Sequence, residues 1–151
     1  MTVAPCSERN VIAQTAARGV VGAMAMSGLR TVTTGLGMVD ETPPEAIAEQ
    51  RGPRMLMHLP EKQRKAVIEI VHWAYGGWGG AVFGALPDTI RRSRWGGPAY
   101  GLALWLTFEV GIAPVLGLRQ AKKRRVVERL AFAGDHVLYG LMLSGLNAKR
   151  S

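Results

Sequence analysis

Residues 72–84 read His-Trp-Ala-Tyr-Gly-Gly-Trp-Gly-Gly-Ala-Val-Phe-Gly. Glycine at every fourth position (Gly76, Gly80, Gly84) marks one face of a helix. In water each such glycine weakens a helix by about 1 kcal/mol relative to alanine. In lipid, packing rather than water exclusion holds helices together, and small residues at this spacing let two backbones approach. The stripe therefore predicts a helical fold with tight helix contacts, and it favours lipid as the solvent.

The pattern recurs at His136-Val-Leu-Tyr139-Gly140-Leu-Met-Leu-Ser144, so both copies read His-x-x-Tyr-Gly-x-x-x-small. A weaker stripe, Gly19, Ala23 and Ser27, lies in the first apolar run, and Gly97 and Gly101 form a pair in the third. Mean hydropathy is only +0.08, but that average hides long apolar runs separated by short basic connections. The net charge of +8 gathers at the ends of those runs rather than along one helix face. This placement suits anionic head groups and topology control, and no nucleic-acid partner is expected. A single cysteine, Cys6, excludes an internal disulfide and by itself builds no metal site.

The reading is an all-α, four-helix transmembrane bundle in one domain, 1–151, with spans at about 11–39, 66–86, 95–118 and 126–146. Arg18 interrupts the first apolar run, which reads as a retained span rather than a cleavable signal. Residues 40–60 form an interfacial loop. Within it Pro43 and Pro44 open a short helix, with Thr42 as N-cap and Glu45 in the first turn. Trp95 stands where an interfacial anchor belongs, and Pro114 is placed to kink the third span. The 1–2 and 3–4 connections hold most of the Lys and Arg, including the run Arg119-Gln-Ala-Lys-Lys-Arg-Arg. They are expected on the cytoplasmic side. The two His-Tyr-Gly copies suggest two α-hairpins related by a pseudo-two-fold axis along the membrane normal.

Depth brings ionisable residues to one level. Arg30 and Glu109 each lie about nine residues before the end of their span, roughly 13 Å from the loop side. Glu69, His72, Asp135 and His136 come at comparable depth from the same side, with Tyr75 and Tyr139 one turn deeper. A charge in lipid costs about 2.5–3.5 kcal/mol on insertion scales, so these groups should face the bundle interior and pair. Arg30 with Glu109 is the expected ion pair. Three functions stay open for the layer. It is a structural network that docks helices or a partner. Or it is a path for protons, ions or a small solute. Or His72 and His136 are axial ligands of a b-type haem. No nucleophile elbow, His-Glu-x-x-His, phosphate loop or cysteine pair is present, so no enzyme activity, catalytic residue, metal or other cofactor is expected.

Taken with Gly19-Val-Val-Gly-Ala-Met-Ala-Met, His72-Trp-Ala-Tyr75-Gly76, Gly101-Leu-Ala-Leu-Trp-Leu and His136-Val-Leu-Tyr139-Gly140, the chain resembles uncharacterised bacterial four-helix membrane proteins of the YagU-like inner-membrane family. The resemblance implies a multi-pass protein of the bacterial inner membrane. It carries no activity and no catalytic residues. The glycine stripes leave a homo-oligomer or a membrane-protein partner open.

Overall fold

The computed structural model describes residues 5–38, 43–118 and 125–145. These residues form helices and turns, with no strand among them. The longest helix, α1 (Pro5–Gly35), has Pro5 at its start and Glu8 in its first turn. It stops at the glycines read as its weak end: Gly37 has φ +67°, and the Met38 amide donates back to the Thr33 carbonyl. Two short helices follow, α2 (Pro43–Arg51) and α3 (Arg54–Met57). Helix α4 (Glu61–Gly84) covers the predicted span except its last two residues and begins with its polar first turn, directly after Pro60. After α5 (Asp88–Arg91), helix α6 (Gly96–Leu106) continues through a π-helical stretch, Thr107–Ile112, into α7 (Ala113–Val115). Helix α8 (Val126–Ser144) ends at Gly145, whose φ of +70° stops it.

The predicted kink at Pro114 takes the form of that π-helical stretch. Proline has no N–H and its ring crowds the carbonyl four residues back. Widening the preceding turn relieves the crowding without breaking the helix. The predicted loop at 40–60 also gains definition. Helix α2 packs on α4 with Ala46 and Ala48 buried, and the Arg51 Nε donates to the Leu116 carbonyl at 2.7 Å. Thr42, Val39, Leu146 and the basic residues 119–124 lie outside the described residues.

Four long elements form a ring. Helix α1 runs antiparallel along α4 and along α8, and α6 runs antiparallel along α8. The α4–α6 side is closed by Tyr100, whose hydroxyl donates to the Gly79 carbonyl at 2.8 Å and whose ring lies 5.2 Å from Phe83. Two seams hold the closest pairs. In the first, a Cβ on Gly19 would collide with the Gly76 carbonyl, and one on Gly80 with the Thr15 carbonyl. In the second, a Cβ on Gly97 would collide with the Gly140 carbonyl, and one on Gly140 with that of Gly97. The glycine that follows the tyrosine of each His-x-x-Tyr-Gly copy is thus a seam residue.

The interior is unusual in what it holds. Thr15, Arg30, Glu128 and Asp135 are buried, while Phe83, Leu118 and Leu143 are the largest fully buried side chains among the described residues. Val71, Trp78, Val110 and Leu130 are each more than 60% exposed. One helical stretch among the described residues, Gly96–Val115, is long and apolar enough to cross a membrane, and only 17% of its most apolar window is buried.

Two glycines of α8 test the seams. Gly134 has open space around its Cβ position, whereas Gly140 has none. Gly134→Ala is expected to stabilise the fold by about 0.5–1 kcal/mol. Gly140→Ala is expected to cost about 1–3 kcal/mol through overpacking. Chemical denaturation of the two variants beside the wild type checks both signs.

Candidate functional site

The predicted polar layer exists, but its wiring differs from the expectation. Helix α1 supplies Ser27 and Arg30, one turn apart. Helix α4 supplies Glu69, His72 and Trp73, and α8 supplies Asp135, His136 and Tyr139. Arg30 is 5% exposed. Its Nη2 donates to Ser27 Oγ at 3.0 Å and stands 3.8 Å from Glu69 Oε2, while its Nε reaches the Met26 carbonyl at 3.4 Å.

Ser27 is the hub. A hydroxyl has one proton to give and two lone pairs. Ser27 accepts from Arg30 and, at 3.1 Å, from the indole N–H of Trp73, and donates to the Glu69 carboxylate. Neither Ser27 nor Trp73 was predicted in the layer. Ser27 reads as a small seam residue, but its position one turn before Arg30 is the signal that places it.

The expected pair of Arg30 with Glu109 does not form. Glu109 instead lies 3.4 Å from the Arg129 Nε. Gly101 lies against the His136 carbonyl, so Glu109 falls about two turns from that level, and α8, on which α6 packs, stands between it and α1. Tyr75 also leaves the layer. It is 53% exposed and stacks on Trp78 at 6.2 Å, because the neighbouring Gly76, not Tyr75, faces α1. Its counterpart Tyr139 is buried, lies over Gly22, and donates to the Gly76 carbonyl at 2.5 Å.

The α8 side of the layer is less satisfied. His136, as its Nδ1–H tautomer, donates to the Phe132 carbonyl at 2.8 Å. His72 Nε2 is buried without a hydrogen-bond partner among the described residues. Asp135 is 3% exposed, and its carboxylate makes no hydrogen bond or ion pair with the described residues, although Arg30 lies within electrostatic reach. A buried polar atom left unmade costs about 1–3 kcal/mol, more for a charge. Half of the layer is therefore a closed network, and half has acceptors to spare. Outside the predicted spans, the Lys65 ammonium, 2.7 Å from Glu61, holds that carboxyl below its usual range; this exposed pair belongs to the start of α4.

Tyr139 crosses from α8 to α4 within one turn of both His72 and His136, the two histidines expected as haem ligands. Among the described residues no group of three or more His, Cys, Asp or Glu is placed to hold a metal ion. No family model, no curated protein and no solved structure matches the chain.

Double-mutant cycles check the rewired pair. Arg30→Leu alone leaves Glu69 without its cation and is expected to destabilise more than Arg30→Leu with Glu69→Leu. The coupling energy should be about 1–3 kcal/mol for Arg30 with Glu69, and under about 0.5 kcal/mol for Arg30 with Glu109.

Proposed function

We propose that this chain is a small polytopic membrane protein of the bacterial inner membrane, with four spans built on α1, α4, α6–α7 and α8. One observation carries the reading: Thr15, Arg30, Glu128, Asp135 and the seam glycines share a small apolar interior, while many large apolar side chains, Val71, Trp78, Val110 and Leu130 among them, face outward. A fold in water has the opposite incentive, since each large apolar side chain gains about 1.5–3 kcal/mol on burial. Length agrees. Helix α4 has 24 residues and α8 has 19, about 36 Å and 28 Å against a hydrocarbon core of about 30 Å. The matched glycine seams support two hairpins related by a parallel pseudo-two-fold axis. The resemblance to the YagU-like family supports the inner membrane, and the Lys and Arg of the 1–2 and 3–4 connections support their cytoplasmic placement.

Within that setting the chain acts as a structural or partner-binding protein without covalent chemistry of its own. The Ser27–Arg30–Glu69–Trp73 network fixes the register of α1 against α4, and Tyr139 fixes α8 against both. The apolar cluster of Met26, Phe83, Tyr139 and Leu143 closes the bundle between this layer and the opposite end, as a scaffold requires. A second reading, a path for protons or a small ion, has its own observation. The buried Asp135 carboxylate and His72 Nε2, which has no hydrogen-bond partner among the described residues, are the groups such a path would use.

Two measurements separate these readings from their alternatives. Expressed in bacteria, the chain is expected in the membrane pellet after alkaline carbonate washing, and in solution only with detergent. Recovery as a monodisperse species without detergent rejects the membrane assignment. In proteoliposomes under a pH gradient, the scaffold reading expects the same proton leak for the wild type and for Asp135→Asn combined with His72→Gln. A leak at least ten-fold above protein-free vesicles, lost in that double variant, establishes the path instead.

A further inference from the structure

The polar layer is not the only charged recess. At the opposite end of the bundle a cavity of about 520 Å³ opens between the N-terminal half of α1, the connection after α4, and the end of α8. That volume falls in the range of small-ligand sites. Its walls are divided by chemistry. Val11, Phe83, Leu86 and Leu143 supply an apolar side. Arg18, Arg91 and Arg92 supply a cationic side, against Glu8 and Asp88.

The three arginines retain donors. A guanidinium has five N–H groups. Arg18 spends one nitrogen on a long bond, 3.4 Å, to the Leu143 carbonyl at the end of α8. Arg91 uses its Nε on the Leu86 carbonyl at 2.8 Å and its Nη2 on Asp88. Arg92 touches the other Asp88 oxygen at 3.1 Å. One carboxylate thus holds two guanidinium groups at the mouth, and the planar fork suits a second tetrahedral or carboxylate oxygen pair. The same connection carries Trp95, 64% exposed, with the Arg94 guanidinium 5.5 Å from its ring centre. An exposed indole beside arginines is the combination found where head groups meet hydrocarbon.

We propose that this cavity binds the phosphate of an anionic phosphate ester, with a phospholipid head group as its source. Arg18 and the Arg91–Arg92 pair take the phosphate oxygens, and the apolar side takes the first methylenes of the chains. The lipid source rests on the membrane reading, whereas phosphate recognition itself does not.

The test titrates purified full-length chain by calorimetry with three probes: dihexanoyl phosphatidylglycerol, dihexanoyl phosphatidylcholine and inorganic phosphate. One site per chain is expected for phosphatidylglycerol, at least ten-fold weaker binding for phosphatidylcholine, and no competition from an equal concentration of phosphate. Arg18→Gln should weaken phosphatidylglycerol about ten-fold. Asp88→Asn, which releases Arg91 and Arg92, should strengthen it several-fold, a gain that misfolding cannot produce. Phosphate binding as tightly as phosphatidylglycerol overturns the lipid source and leaves a free phosphate site. Binding of phosphatidylglycerol that neither substitution changes, or no saturable binding, overturns the proposal. If the chain proves soluble without detergent, the membrane reading fails by itself, and the same titration run without detergent still decides the site.

Discussion

Backbone proximity across the two glycine seams is the constraint on which the rest of the molecule depends. Where Gly19 meets Gly76 and Gly97 meets Gly140, no side chain separates the helices. Polar side chains on those helices can then reach across with ordinary hydrogen-bond lengths. Ser27 touches both Glu69 and Trp73 because α1 and α4 are already close a turn or two away. The Tyr139 hydroxyl reaches the Gly76 carbonyl because Gly22 leaves room for its ring. Close approach comes first, and the polar layer is assembled on it.

That order explains why the interior spends so little on large apolar groups. Dispersion between closely packed backbones and the carbonyl-directed bonds of Tyr100 and Tyr139 supply what a leucine-rich core supplies elsewhere. The two tyrosines bind carbonyls that the α4 helix already uses, so each adds a bond without removing one. In hydrocarbon such bonds are worth about 0.6 kcal/mol on average, which makes them locators of helices more than large sources of stability.

Much of this was legible from residue order. Pro5 and Pro60 stand at the starts of two long helices and Gly37 and Gly145 at the ends of two, and the His-x-x-Tyr-Gly copies mark the seams. Depth along a helix is also readable, since each residue adds a fixed rise. Rise alone places Arg30, Glu69, His72, Asp135 and His136 near one level, and Arg30 lies within reach of Glu69 and Asp135. Rotation is not readable in the same way, because it depends on which helices become neighbours. Glu109 illustrates the failure twice over. Its helix is screened from α1 by α8, and it sits inside a π-helical stretch, where one added residue turns the remainder by about 100°. The two tyrosines of the repeat differ for a related reason. Tyr139 has Gly22 beneath its ring, while Tyr75 has Trp78 beside it and faces outward.

The wide turn at Thr107–Ile112 has a mechanical consequence. On one side of it, Gly97 and Gly101 are locked to α8. On the other, Ala113 and Leu118 are buried, and Arg51 of the preceding connection holds the Leu116 carbonyl. The α6–α7 stretch is thus held at both ends by different parts of the molecule, and within the wide turn Glu109 is tied to Arg129 of α8. A shift passed along this stretch from the α2 end meets the Glu109–Arg129 pair before it meets the glycine contacts.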